Sequence, residues 1–241
     1  MVGMTRTTIS SRLGFALALL AISLASGCYL FQSSQTFYGL KTAGQKIVFV
    51  VDISGSMEGK NEGSLQDRFT GVAVQKSGNA LGQALGGTLG SIVGSQATSE
   101  VTKLGGATRE LIPALQGLPE SSSFSIITFG QETKPWLMGM VPATGANTNI
   151  GSAFVKDLEA NGGTPAKRAL DKAFEYADAN VIFFVSDGQP TDGSAADILN
   201  HVRSLNARRR VVISTVGLGG DQDESFLSAL AKQNGGHYVK K

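Results

Sequence analysis

The segment Asp52-Ile53-Ser54-Gly55-Ser56 sets a carboxylate and two hydroxyls at alternate positions around a glycine. Glycine tolerates the sharp turn that such a loop requires, so three hard oxygen donors can be presented together. Further along, Ser186-Asp187-Gly188 supplies a second carboxylate, and Asn161-Gly162-Gly163-Thr164 a third hydroxyl. The two histidines, His201 and His237, and the single cysteine, Cys28, lie elsewhere in the sequence. Two carboxylates and three hydroxyls form an all-oxygen donor set, which suits a hard cation, Mg²⁺ first, then Mn²⁺ or Ca²⁺. Plainer roles are also open: Thr164 as a helix N-cap with Pro165 as the first helical residue, and Asp187 as a turn residue. Neither role conflicts with ligation.

These donors can meet only if the elements that carry them end at one place. Asp52 directly follows Ile47-Val48-Phe49-Val50-Val51, and Ser186 follows Val181-Ile182-Phe183-Phe184-Val185. Continuous apolar runs of this length fit strands buried on both faces, as in a parallel sheet. Two more occur, at Phe124-Ser125-Ile126-Ile127-Thr128-Phe129 and Val211-Val212-Ile213-Ser214-Thr215-Val216, and a short one at His237-Tyr238-Val239. The stretch 136–141, preceded by Pro135, is expected as an antiparallel edge strand. Between the runs the period becomes helical. Ala166, Ala169, Leu170, Ala173, Phe174 and Ala177 share one helix face, Ile198, Leu199, Val202 and Leu205 a second, and Phe226, Leu227, Leu230 and Ala231 a third. Pro113 is expected to kink an earlier helix near its end. Alternating strands and helices predict an α/β fold with a doubly wound, mostly parallel sheet and one antiparallel edge strand. In such sheets ligands sit beyond the carboxyl ends of the strands, where Asp52 and Asp187 would both lie.

In order and spacing, Asp52, Ser54, Ser56, Thr164 and Asp187 resemble the metal-ion-dependent adhesion site of the von Willebrand factor type A domain family. The apolar strand before the first aspartate, Gly162-Gly163 before the threonine and Gly188 after the last aspartate are also similar to that family. The resemblance implies that these five residues hold the metal, the serines and threonine directly and the aspartates often through water. It further implies that a glutamate or aspartate of a protein partner completes the coordination. The loops at 188–192 and 144–149 are expected near the metal, where they would set specificity.

The N-terminus reads as an export signal. Arg6 and Arg12 precede the apolar run 13–22, small residues follow at Ala25-Ser26-Gly27, and Cys28 comes next. The segment resembles a bacterial lipoprotein signal with Cys28 as the lipidated residue. An uncleaved membrane anchor is the alternative, since 13–31 approaches the ~20 residues that span a bilayer. Either way the body faces outside the cytoplasm. The expected organisation is a signal or anchor at 1–28, a tether at 29–45 and the domain at 46–241, interrupted by a glycine-rich insert at about 59–100. Within the insert, glycines recur every fourth residue at Gly78, Gly82, Gly86, Gly90 and Gly94. That spacing fits first a flexible or loosely helical surface insert, then helix pairing within the insert or between chains, then bilayer contact. Pairing between chains would allow self-association through 78–94 and an alternative reading as a membrane-bound assembly protein.

Other function classes are disfavoured. Apart from Arg6 and Arg12 the chain carries as many acidic as basic residues, so no electrostatic footprint for nucleic acid exists. The run Arg208-Arg209-Arg210 reads as the solvated end of a helix entering a strand. A hydrolase could use Asp52 and Asp187 around a metal-bound water, or Ser54 as a nucleophile. No GxSxG elbow supports that, and neither histidine obviously converges on the site. The expectation is a non-enzymatic domain.

Overall fold

A computed structural model describes residues 36–42, 45–59 and 102–241. The expected export signal with Cys28 and the glycine-spaced stretch 78–94 lie outside the described residues. Among the described residues no helix is long and apolar enough to cross a membrane.

The core is a mixed sheet in the order β5-β4-β3-β7-β8-β9, with β6 also on β4. Its strands are β3 (Lys46–Asp52), β4 (Ser123–Phe129), β5 (Thr133–Pro135), β6 (Val141–Pro142), β7 (Val181–Ser186), β8 (Val212–Gly217) and β9 (Gly235–Lys240). The five from β4 to β9 along that path pair in parallel. Side chains alternate across β3: Ile47, Phe49 and Val51 enter one apolar layer, Val48 and Val50 the other. Both faces are thus covered, which is why the central strands read as unbroken apolar runs instead of alternating ones.

The helices divide between the faces. Leu104, Leu111 and Leu115 of α1 (Lys103–Gln116) and Val155 of α2 (Gly145–Lys156) pack on the Phe49 side. Ala169 and Leu170 of α3 (Ala166–Phe174), Ile198 and Val202 of α4 (Ala195–Asn206), and Leu227 and Leu230 of α5 (Glu224–Gln233) pack on the Val50 side. Pro113 lies inside α1, which continues to Gln116.

Several expectations require correction. The antiparallel edge is two short strands, β5 and β6, which leave 136–140 unpaired as a strand between them. Pro135 lacks a backbone donor, and after Trp136 donates its N–H to Ile126 O at 2.8 Å the ladder stops, with Met138 89% exposed. Trp136 spends its apolar surface on Phe124 instead, rings stacked at 5.5 Å. Residues 144–149 do not line the metal edge. Thr144 caps α2 by accepting from Asn147 N, close to Ala143, whose N–H donates to Ser122 O beside the amino end of β4. Within the expected tether, residues 36–41 form a hairpin, β1 (Thr36–Phe37) and β2 (Leu40–Lys41), and Phe37 is fully buried. Arg209 is not merely solvated: its guanidinium donates to the carbonyl oxygens of Phe174, Tyr176 and Ala177 and lies 5.7 Å over the Phe174 ring.

Candidate metal centre

β3 and β7 are parallel neighbours with Val51 opposite Val185, so Asp52 and Ser186-Asp187 emerge side by side at the carboxyl edge. Beyond Asp52 the chain turns at once into a single 3-10 turn, Gly55–Glu58. The loop is held from both sides. Asn161 N donates to Ile53 O at 2.6 Å, and Gly55 N to Gly162 O at 2.9 Å. Gly162 has φ +76°, and a Cβ there would lie 2.2 Å from Gln131 N, so only glycine fits this crossing. The Gly162-Gly163 pair therefore serves to bring the Thr164 segment against the Asp52 loop.

The side chains form one connected set. Asp52 Oδ1 accepts from Ser54 N at 2.7 Å, and Asp52 Oδ2 accepts from Ser186 Oγ at 2.6 Å. Ser54 Oγ and Ser56 Oγ are 3.1 Å apart, and Ser56 Oγ donates to Asp187 Oδ1 at 2.9 Å. Thr164 completes the cluster: a Cβ placed on Gly188 would lie 3.6 Å from Thr164 Oγ1 and 3.8 Å from Ser56 Oγ. Asp52, Ser54, Thr164 and Asp187 are all buried, while Ser56 is exposed at the mouth. All five residues singled out in the sequence thus lie together.

Thr164 is not the helix cap that the sequence allowed. Pro165 occupies the N-cap position of α3 and no side chain of that residue caps it. The first free N–H groups of the helix, those of Lys167 and Arg168, are taken by the two oxygens of Asp192 at 3.0 and 2.9 Å. Thr191 Oγ1 accepts from Thr164 N at 3.0 Å. Among the described residues Thr164 Oγ1 makes no protein hydrogen bond, and it lies beside Gly188 close to Ser56. An unspent hydroxyl next to a connected set of two carboxylates and two serine hydroxyls is an all-oxygen donor set that fits a hard cation. Among the described residues no group of three or more His, Cys, Asp or Glu side chains converges, so the site does not resemble a zinc centre. His201 pairs instead with Asp171, and His237 lines a cleft with Gly39, Asn180 and Val212 at the opposite edge of the sheet.

Burial is the main reason that Asp52 is pushed up to about 6; hydrogen bonds from Ser186 and Ser54 oppose the shift and the charge of Asp187 adds to it. A raised folded-state value means the native protein keeps a proton that the unfolded chain has released. Stability from this group is full below the ordinary 3.8 and is lost as pH rises through about 6. In chelator, wild type is expected to lose on the order of 3 kcal/mol over that window relative to Asp52→Asn. Melting curves of both proteins across pH 4 to 7, at about ten points, check this; parallel curves would contradict it.

Sequence reasoning missed two residues here. Ser186 was visible as the neighbour of Asp187, but nothing in its local sequence says that its hydroxyl reaches back to Asp52. Lys103 gave no signal at all. It is the first residue of α1, only 4% exposed, and its ammonium donates to Asp187 Oδ2 at 2.8 Å and Asp221 Oδ1 at 2.6 Å. Burial works against its charge, but the two carboxylates outweigh burial and the Lys103 pKa is raised.

Comparison with known proteins agrees with this architecture. A profile of the von Willebrand factor type A domain matches residues 98–240, more than half of the chain. Thr164 and Asp187 fall within the match, whereas the Asp52 loop lies upstream of it. Inter-alpha-trypsin inhibitor heavy chain H1 of Mesocricetus auratus is 26% identical over 211 residues, covering 82% of this chain and 18% of that protein. The von Willebrand factor A domain-containing protein 3A of Homo sapiens is 32% identical over 118 residues, covering 48% of this chain and 10% of that protein. This chain therefore spans less than a fifth of the length of either relative. Among solved structures, a von Willebrand factor type A protein from Catenulispora acidiphila is similar with a TM-score of 0.57 at 17% identity, covering 83% of this chain and 38% of that one. The conserved hypothetical protein BatB from Bacteroides thetaiotaomicron is similar with a TM-score of 0.53 at 13% identity, covering 81% and 89%. At these identities the structural likeness speaks for the fold. With the profile match, the sheet order and the clustered donors in view, the chain belongs to the von Willebrand factor type A domain family.

Proposed function

We propose that this chain is a non-enzymatic protein-binding domain whose grip depends on a divalent cation, displayed outside the cytoplasmic membrane and anchored there by its N-terminal segment. Asp52, Ser54, Ser56, Thr164 and Asp187 hold the cation, Mg²⁺ or, in its place, Mn²⁺ or Ca²⁺. The observation that supports this reading is the Thr164 hydroxyl, unspent on helix capping and set beside Gly188 close to Ser56. When bound, the cation supplies a concentrated positive charge that draws an acidic side chain of a partner.

The residues of the chain have distinct tasks in this reading. Neutral hydroxyls from Ser54, Ser56 and Thr164 donate oxygen without cancelling charge, so much of the dication's charge is left uncompensated. Ser186 and the backbone N–H of Ser54 hold the Asp52 carboxylate in one orientation. Exposed Ser56 marks the side from which a partner approaches. The anchor rests on Arg6, Arg12, the apolar run 13–22 and Cys28.

The test is capture of partners from an envelope extract in Mg²⁺ and in chelator. Wild type is expected to retain partners in Mg²⁺ alone, and Asp52→Ala to retain none in either buffer. Equal capture in chelator would overturn the cation dependence. Calorimetry that finds no Mg²⁺ or Mn²⁺ uptake would remove the reading altogether.

A further inference from the structure

Lys103 is an ammonium built into the candidate centre. Its position is fixed by backbone. Lys103 N donates to Gly59 O at 2.9 Å, so α1 begins against the end of the loop that carries Ser54 and Ser56. The side chain then passes between Gly59 and Gly219: a Cβ on Gly59 would lie 3.6 Å from Lys103 Cε, and one on Gly219 only 2.6 Å away. Gly219 has φ +82°, which a larger residue would adopt only under strain. The slot ends at Asp187 and Asp221, and Lys103 meets both.

The two oxygens of Asp187 consequently have separate partners. Oδ1 accepts from Ser56 Oγ, and Oδ2 accepts from the Lys103 ammonium. Asp221 is 67% exposed, so water screens much of its charge, whereas Asp52 and Asp187 are buried. The buried charges are then two carboxylates and one ammonium, a net of minus one. Without Lys103 the same pocket would carry minus two.

Resting on the cation-dependent reading above, we propose that Lys103 is a resident monocation that keeps the metal-free centre folded and limits how tightly a dication binds. A dication entering a pocket of net minus one leaves a positive centre. Entering a pocket of minus two, it would be neutralised and would bind more tightly, with less pull on an incoming carboxylate. Lys103 therefore trades metal affinity for attraction of an acidic partner, and substitutes for the metal in compensating Asp187 when none is bound. Its role is electrostatic positioning, since its ammonium engages the Asp187 oxygen that Ser56 does not.

The test uses wild type, Lys103→Gln and Lys103→Met, with Mn²⁺ alone as the probe. Glutamine keeps a hydrogen-bond donor near Asp187 without the charge, so it guards against the case in which Lys103→Met does not fold. In chelator both variants are expected to melt below wild type. With Mn²⁺ they are expected to bind at least about tenfold more tightly by calorimetry, and to gain more in melting temperature on loading than wild type does. If wild type takes up Mn²⁺ while Lys103→Gln binds it equally or more weakly, the proposal fails and the cation reading stands. A Lys103→Gln protein that stays unfolded in saturating Mn²⁺ has the same meaning. If neither wild type nor Lys103→Gln takes up Mn²⁺, the cation reading fails and takes this proposal with it.

Discussion

Replacing Thr164 with alanine is expected to weaken Mn²⁺ binding by about 100-fold or more while lowering the stability of the metal-free protein by only about 1 kcal/mol. The separation of the two effects comes from what the hydroxyl does. It caps no helix, because Asp192 serves the first N–H groups of α3, and among the described residues it makes no protein hydrogen bond. Removing it therefore orphans nothing, and the stability cost is that of one buried methyl and a small void. As a donor to a cation it has no substitute, since Ser54 and Ser56 sit on a different loop. Even groups that merely support metal ligands are worth 10- to 100-fold in affinity, so a direct donor is worth at least as much. Asp52→Ala is a poorer probe, because it strands the Ser186 hydroxyl and the Ser54 N–H, each at about 1–3 kcal/mol. Titration calorimetry and thermal melts of Thr164→Ala decide the matter. Unchanged Mn²⁺ affinity would exclude Thr164 from the ligand set.

What could be read ahead of the structure follows from which signals are local. The four central strands were legible because each is buried on both faces, and sheet burial on both faces leaves an unbroken apolar run. The clustering of Asp52 and Asp187 was legible for a related reason: both stand just beyond such strands, and parallel strands bring their ends to one edge, where Thr164 arrives at the start of a helix. Residues whose roles depend on distant partners were not legible. Lys103 and Asp187 are 84 residues apart, and nothing around Lys103 distinguishes it from a surface lysine. Likewise, Thr164 looks like the cap in sequence, and only the path of the 188–192 loop decides that Asp192 takes the helix instead. The 136–141 stretch misled because an apolar composition was met by ring stacking on Phe124 and not by strand pairing. Phe37 was overlooked because one aromatic pair in a polar stretch carries no period.

Phe37→Ala is expected to cost about 3–5 kcal/mol, the largest stability effect of any change outside the centre. The hairpin around it is only two residues on each side, and a ribbon that short has little stability of its own. Its turn is also strained, with Tyr38 at φ 49°, a conformation that non-glycine residues adopt at some cost. Something must hold it, and the fully buried Phe37 ring is that something. It meets Phe49 edge-on at 5.3 Å and Phe183 at 5.4 Å, on the apolar face that α1 also covers. Tyr38 adds a hydroxyl donated to Gly106 O in the first turns of α1, at 3.3 Å. Removing the ring opens a void between two central strands and releases the hairpin, so transfer and cavity costs add. Urea unfolding of Phe37→Ala measures the loss, and a chain that begins at Gln45 should lose at least as much. A cost below about 1 kcal/mol would mean that the hairpin is not part of the core.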